Sequence, residues 1–261
     1  MFYHKVAVAL LAAFGLKAHA TLLFSNSGTL EGWDSIKEEH LGTVQQVSNE
    51  VFSGDSAIKV IQTYDPNYDG RYHAELATKD GYKRGDSRYY AFSFRLQNEW
   101  DFTSQSYNLA QFIADFGDTG CDDWMPSTMI WITGNKLHTR VKQGSICDQV
   151  TVKFSDLATV SAGTWHRFVM RVTWQTGNKG LLKVWFDDEE VLSEYGIDTT
   201  ISDDRTFEFR VGLYANSWYD QGYLEGEQGR RQIWYDEIAI GTTFEDVRAG
   251  NKAGGYVEYR G

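Results

Sequence analysis

The sequence contains few of the residues that are typical of multidomain proteins with linkers or of cysteine-rich metal-binding proteins. Only two prolines and two cysteines occur among 261 residues, and no Pro-rich segment, Ser-rich segment or internal repeat interrupts them. A chain of this length without such boundaries is typical of one large domain. After the N-terminal segment, no apolar run is long enough to span a bilayer, and we expect no membrane partner.

Basic residues are also few. The chain has 25 Lys and Arg against 36 Asp and Glu, a net charge of −11. This balance argues against nucleic-acid binding and against general adhesion to anionic membranes. It permits an acidic ligand only where the basic side chains are concentrated in one cleft.

The N-terminal segment has the features of a secretory signal. His4 and Lys5 precede the apolar residues 6–16, and residues 18–20 (AHA) match a small-x-small cleavage site. We therefore expect residues 1–20 to be a signal peptide and residues 21–261 to form a secreted, monomeric domain. Because the signal contains two of the lysines, the mature chain has 23 basic and 36 acidic residues, a net charge of −13.

The two cysteines, Cys121 and Cys147, are most simply explained as a disulfide. In a secreted chain an even pair usually closes one, and here it would fix the segment around Trp124 to the strand that ends near Lys142. A thiol nucleophile or a metal site lacks the companion residues that either would need.

Aromatic residues, by contrast, are abundant, at 15% of the chain, and the dominant hydrophobic period is two. Alternating segments separated by turn residues predict an all-β fold, a β-jelly-roll sandwich of two antiparallel sheets. Short helical turns are expected near 155–158 and 243–248. The predicted strands are 21–25, 44–50, 56–63, 71–77, 88–97, 109–116, 127–133, 136–143, 149–154, 165–174, 181–187, 207–214 and 232–240.

One predicted strand has basic residues at every second position. Because side chains alternate along a strand, its basic groups share one face, where they would repel one another unless an anion binds there. A solubilising edge is the alternative explanation. The four residues are Lys136, His138, Arg140 and Lys142.

Other strands place polar groups together in the same way. Arg71, His73 and Glu75 share a face, and Gln111 lies with Asp115. In residues 207–214 (FEFRVGLY), the odd positions are apolar. Arg210 and Tyr214 therefore lie on the opposite face, where Gly212 leaves room above the strand.

These segments resemble the fungal glucuronan lyases of polysaccharide lyase family 20, over about residues 21–246. The resemblance implies a β-jelly roll that cleaves β-1,4-linked polyglucuronate, an acidic polysaccharide, and binds a calcium ion. It is carried by residues 71–76 (RYHAEL), 108–116 (NLAQFIADF), 120–126 (GCDDWMP), 139–144 (TRVKQG), 211–216 (VGLYAN) and 234–238 (WYDEI).

The resemblance also suggests a metal site, and it has one departure. Asp236, Asn26 and the Gly54 carbonyl suit a structural calcium ion between the first and last strands. A looser similarity to alginate lyases includes a Gln-x-His strand, but here Ile113 replaces the histidine. If a histidine is needed, His73 must supply it from the neighbouring strand.

β-Elimination requires removal of the C5 proton of a uronate after its carboxylate has been neutralised. Gln111, His73 and Arg71 are the candidates for binding the carboxylate. Tyr214 is the candidate base and acid, because the C5 hydrogen and the C4 oxygen lie on the same side of the sugar. Its pKa of about 10 would have to be lowered by a nearby cation such as Arg210.

Further residues are predicted to bind the substrate or are alternative candidates for the catalytic tyrosine. The basic strand, Arg210 and Tyr219 would contact the polysaccharide, and Tyr219 or Tyr223 could replace Tyr214. Two other classes of protein also fit the sequence. One is a β-sandwich glycoside hydrolase using Glu75 and Asp115, which has no need of a basic strand. The other is a non-catalytic calcium-dependent carbohydrate-binding module.

Overall fold

The computed structural model describes residues 20–121 and 123–250, so the predicted signal peptide lies almost wholly outside the described residues. Within them, two antiparallel sheets pack face to face as a sandwich, as predicted. The fifteen strands are β1 Leu22–Asn26, β2 Ser35–Glu38, β3 Thr43–Val47, β4 Ala57–Thr63, β5 His73–Tyr82, β6 Ser87–Leu96, β7 Ser106–Asp115, β8 Trp124–Thr133, β9 Lys136–Gly144, β10 Gln149–Thr159, β11 Trp165–Thr173, β12 Gly180–Phe186, β13 Glu189–Ile197, β14 Phe207–Tyr214 and β15 Arg230–Gly241.

The eight-stranded sheet has the order β13-β12-β11-β6-β15-β4-β3, with β1 also paired to β15. The seven-stranded sheet has the order β10-β9-β8-β7-β14-β5-β2. Strands that are distant in sequence, such as β5, β7 and β14, are therefore neighbours. No helix in the described part of the chain is long and apolar enough to cross a membrane.

Helical structure in residues 20–121 and 123–250 is limited to two short segments. Helix α1 spans Asn216–Gln221, and a 3₁₀ turn spans Glu245–Val247. The 3₁₀ turn confirms the prediction near 243–248, whereas the helical turn expected near 155–158 is wrong. Residues 155–158 belong to β10, where the pairing with β9 is irregular between Phe154 and Ala158.

The core lies between the sheets and is rich in aromatic rings. Tyr82 stacks on Trp174 and Phe207, with ring centroids 3.6 and 4.5 Å apart. The Tyr82 hydroxyl is bonded to Ser127 and Thr200, which satisfies its polar atom in the interior. Large interlocking rings make the sandwich a rigid support for the outer face of the seven-stranded sheet.

The predicted disulfide is present and lies beside that outer face. Cys121 and Cys147 are bonded, with their Cα atoms 5.3 Å apart. The bond joins the loop before β8 to the loop between β9 and β10. It therefore fixes the beginning of β8, where Trp124 stands, to the neighbouring hairpin.

Candidate active site

The outer face of the seven-stranded sheet carries an open cavity of about 360 Å³. Five residues predicted from the sequence line it together, although they come from β5, β7, β9, β14 and the loop before β5. They are Arg71, His73, Gln111, Arg140 and Tyr214. Strand pairing explains the grouping, because Tyr214 lies opposite His73, and Arg140 and Gln111 both lie opposite Met129.

Tyr214 stands at the centre of this cavity. The residue is 5% exposed, and its hydroxyl accepts a hydrogen bond from Arg71 Nη1. Burial raises the pKa of Tyr214 to about 12, although the charge and hydrogen bond of Arg71 act to lower it. The phenol therefore keeps its proton at neutral pH and is suited to donate it.

His73 stacks against Tyr214, with the ring centroids 3.9 Å apart. Its Nδ1 lies 2.7 Å from Glu39 Oε2. Burial alone would raise the pKa of Glu39, but the hydrogen bond and charge of His73 outweigh burial and lower it. An ionised Glu39 is an acceptor for an Nδ1–H, and in the Nδ1–H tautomer of His73 the lone pair on Nε2 is available for proton transfer.

Gln111 and Glu75 meet across strand β14. The amide nitrogen of Gln111 donates to Glu75 Oε1 at 2.8 Å and to Oε2 at 2.9 Å. Gly212, which lies opposite Glu75 on the intervening strand, has no side chain to separate them. One N–H of the Gln111 amide is shared by the two carboxylate oxygens, so its second N–H and its carbonyl oxygen are left for a ligand. A donor beside an acceptor suits a sugar hydroxyl, which can accept and donate.

Arg140 and Asn216 bring unpaired polar atoms to the same cavity. Arg140 Nε and Asn216 Oδ1 are buried and have no hydrogen-bond partner. Arg140 also donates from Nη2 to the Pro126 carbonyl, at 3.3 Å. Unpaired buried donors and acceptors are unfavourable, so these two atoms are a local cost at the cavity wall.

The cavity continues on both sides as a groove across the strands. Toward β2 it adjoins a second cavity of about 450 Å³, with which it shares Arg71, His73 and Trp124. Toward β10 it adjoins a smaller cavity that contains Arg140, Trp131 and Lys153. A groove open at both ends can hold the interior of a long polymer.

Comparisons with known proteins agree with this geometry. The family model described as "Polysaccharide lyase" matches residues 25–239. The crystal structure of an endo-β-1,4-glucuronan lyase from the fungus Trichoderma reesei is 53% identical to this chain. It covers 87% of this chain and 98% of its own length, with a TM-score of 0.86.

The chain belongs to the polysaccharide lyase family.

More distant structures share the fold of this polysaccharide lyase. A cellulose-induced protein is 18% identical, with a TM-score of 0.55 over 84% of this chain and 97% of its own. The marine family 14 alginate lyase from Aplysia kurodai is 10% identical, with a TM-score of 0.56 over 84% and 98%. No curated protein sequence matches the chain.

The basic strand of the lyase forms as predicted but contributes one residue to the cavity. Lys136, His138, Arg140 and Lys142 share one face of β9, whose other face is buried. Of the four, only Arg140 lines the groove, in two of its three cavities. Lys136 and Lys142 donate to Thr159 and Gln149 on β10, and His138 Nδ1 accepts from the Asp156 amide. The groove crosses the strands, so most residues of any one strand, including those of β9, lie outside it.

Arg210 shares the outer face with Tyr214, but a different arginine bonds the tyrosine hydroxyl. Arg210 is 2% exposed and bonds Glu208 Oε2 from Nε and Nη2, at 2.9 and 2.7 Å. Its Nη1 lies 3.8 Å from Glu75. Two carboxylates hold this guanidinium in place, and Arg71 is the cation at the Tyr214 hydroxyl.

The positions of the three candidate tyrosines distinguish which of them can reach a substrate in the central cavity. Tyr214 lines the central cavity, whereas Tyr219 and Tyr223 do not. Tyr219 is 41% exposed on α1, with the Arg71 guanidinium 4.4 Å from its ring centre. Tyr223 is more exposed and contacts Gln105 through its backbone carbonyl. The geometry therefore favours Tyr214 for proton transfer and leaves Tyr219 as a support for Arg71.

The pair of carboxylates that a hydrolase would need is not formed. Glu75 is buried beneath Gln111, and Asp115 Oδ1 accepts from the Gly117 amide at the end of β7. Neither carboxylate lines the central cavity.

The predicted calcium ligands are brought near one another in the fold but are already hydrogen-bonded. Asn26 pairs with Ile238 in the β1–β15 ladder, and its Oδ1 accepts from the Thr29 amide. Asp236 is buried, and its Oδ2 accepts from the amides of Phe52 and Ser53, next to Gly54. Within residues 20–121 and 123–250, no cluster of three or more acidic, His or Cys side chains suits a metal ion.

Burial raises the pKa of Asp236, and no salt bridge to it is found in the described part of the chain. Asp236 thus fits a cation site. The Asn26 side chain is committed to local hydrogen bonds and fits less well.

Sequence reasoning missed four residues of the site: Glu39, Trp124, Asn216 and Asp220. Glu39 follows the four-residue strand β2, which is too short to show alternation. Asn216 and Asp220 lie on α1, whose six residues are too few for a helical period. The one signal available was Gly222 after the helix, which has the positive φ of a helix C-cap.

Proposed function

We propose that this polysaccharide lyase is an endo-acting glucuronan lyase. It cleaves β-1,4-linked polyglucuronate by β-elimination and leaves 4,5-unsaturated uronate ends. One observation carries the proposal: His73 and Tyr214 stack side by side in a cavity that Arg71 and Arg140 make basic. The groove continues past this cavity on both sides, which supports cleavage within the chain.

Proton transfer is divided between the two stacked rings. The C5 hydrogen and the C4 oxygen of β-D-glucuronate leave from the same side of the sugar, and His73 and Tyr214 face the cavity together. We assign removal of the C5 proton to His73 Nε2, because Glu39 holds the Nδ1 proton. Tyr214, kept protonated by burial, delivers a proton to the departing O4.

Stabilising the developing charge falls to the cationic side chains. Arg140 and Arg71 both line the cavity, and the Arg71 side chain is half-exposed. Guanidinium groups bind carboxylates with charge-assisted hydrogen bonds, which neutralise the uronate as the enolate-like charge grows. Gln111, whose amide nitrogen is bonded to Glu75, is assigned to a sugar hydroxyl.

The test is incubation of the protein with polyglucuronate while ultraviolet absorbance of the unsaturated product is followed. We expect absorbance to rise and chain length to fall early, since cleavage is internal. Release of reducing ends without absorbance would instead indicate hydrolysis, and binding without either change would indicate a binding module.

The pH profile distinguishes the two assignments for the base. With Tyr214 as acid and a pKa of about 12, we expect kcat/KM to stay level from pH 8 to pH 10, because the phenol remains protonated over this range. If a Tyr214 phenolate were the base, kcat/KM would rise about tenfold per pH unit over that range. Initial rates in buffers of constant ionic strength measure this difference.

We also propose that a structural calcium ion binds beside Asp236, with backbone carbonyls of residues 52–54. A cation there would stabilise a buried carboxylate that has no salt bridge in the described chain. We expect a chelator to lower the Tm of the wild-type protein by several degrees and to leave Asp236→Asn unaffected. Metal analysis showing no bound calcium, together with an unchanged Tm, would contradict the proposal.

We also propose that the protein is secreted. The Cys121–Cys147 disulfide is consistent with an oxidising compartment, and the N-terminal pattern of residues 1–20 is typical of an exported protein. Detection of the processed chain in culture medium, beginning at Thr21, tests this assignment.

A further inference from the structure

The cavity on the β2 side of the groove is larger than the central one and has its own polar wall. It shares His73 and Trp124 with the central cavity and adds Lys37 and Tyr68, in a volume of about 450 Å³. A sugar unit in the central cavity would therefore have its neighbour in this second cavity.

Trp124 lines both cavities. Its side chain stands at the first position of β8 and is 44% exposed, which is unusual for so large an apolar group. The Lys37 ammonium lies 5.2 Å from its ring centre, and the Arg210 guanidinium lies 4.9 Å from it. The adjacent disulfide fixes the backbone that presents this ring.

The two cations at Trp124 differ in what else they contact. Arg210 is buried and bonded to Glu208, so it is not available to a ligand. Lys37 is partly exposed and makes no salt bridge within 4 Å to any described residue, and its charge helps to lower the pKa of Glu39 in the same cavity. In a protein whose net charge is strongly negative, an ammonium at a cavity wall with no carboxylate in direct contact is placed to bind an anion.

We infer that Lys37 and Trp124 form a second subsite, which binds the uronate unit next to the one that reacts. The inference rests on the proposed function. The sugar face takes the place of the ammonium on the indole ring, and Lys37 turns to the carboxylate of that unit. This combination recognises a charged hexuronate and gives much less binding to a neutral hexose.

The second subsite contacts the neighbouring uronate unit, which does not itself lose the C5 proton. Its contacts are equally strong before and during the reaction, so they should lower KM and leave kcat nearly unchanged. Losing them should matter for polymers and for oligomers long enough to fill both cavities, and not for shorter ones.

The test compares Lys37→Gln and Trp124→Ala with the wild-type enzyme on polyglucuronate. We expect KM to rise about tenfold in each variant, and kcat to stay within about twofold in Lys37→Gln, because Lys37 lines the second cavity and not the central one. Added salt should raise the KM of the wild type more than that of Lys37→Gln, because screening weakens only the charged contact. Lys179→Gln, which removes an exposed lysine from the β11–β12 turn, is the matched control and should behave as wild type.

The outcomes separate this inference from the proposed function. If the wild-type enzyme forms no unsaturated product from polyglucuronate, the proposed function fails. If product forms and Lys37→Gln has the KM and salt dependence of the wild type, the subsite alone is wrong. A loss of kcat with unchanged KM in Lys37→Gln would also overturn it, and this variant keeps the Trp124 packing should Trp124→Ala misfold.

Discussion

Replacing Tyr214 with phenylalanine should reduce kcat on polyglucuronate by about a thousandfold and leave the fold intact. The change removes the hydroxyl that we assign to protonating O4, and general acid catalysis of this kind contributes about 10²–10⁴-fold. Stability should change little, because the ring and its stacking on His73 remain. The partner that loses its acceptor, Arg71, is half-exposed and can bind water instead.

Initial rates and thermal unfolding of the same preparations measure both parts of this prediction. Tyr223→Phe is the matched control, since it removes a phenol hydroxyl outside the central cavity and should keep full activity. Activity above about a tenth of wild type in Tyr214→Phe would remove Tyr214 from the reaction.

Replacing Gly212 with alanine should destabilise the whole protein. Gly212 has φ near 149°, and a Cβ there would lie 2.3 Å from the Ala74 carbonyl oxygen, a backbone atom of β5. The strained backbone and the forced separation of β5 and β14 together cost of the order of 3–5 kcal/mol. That is a large part of the free energy of unfolding of an ordinary domain.

Denaturant unfolding of Gly212→Ala should show a midpoint far below that of the wild type. Any folded Gly212→Ala protein should also have lost activity, because Gln111 and Glu75 meet above this residue. Gly222→Ala provides the comparison. Gly222 also has a positive φ, but no atom lies within 4 Å of an added Cβ, so we expect a loss of only about 1 kcal/mol. Equal midpoints for the two variants would contradict the steric argument.

Most of the fold could be predicted because buried faces impose a period of two. Residues 207–214 were assigned correctly to the residue, since alternate side chains enter the core. Strand β13 was missed, as its side chains are exposed or partly exposed on both faces and show no alternation. Strand β2 was missed because four residues are too few.

The residues of the site could be predicted better than the contacts among them. Arg71, His73, Gln111, Arg140 and Tyr214 do meet in one cavity. The sequence could not show that Arg210 is held by Glu208, because that depends on side-chain directions at the sheet surface. Nor could it show that burial outweighs the nearby cation at Tyr214, since desolvation depends on the packing of elements distant in sequence.

The orientation of the groove has a consequence for how such enzymes change their preference. A polysaccharide lying across the sheet passes from one strand to the next about every 4.8 Å, so successive units meet different strands. The contacts for one unit can then be altered by substituting a side chain on a single strand, while the pairing of the others is retained. The preference for a particular uronate at each place along the groove can thus evolve separately, while the β-sandwich beneath is unchanged.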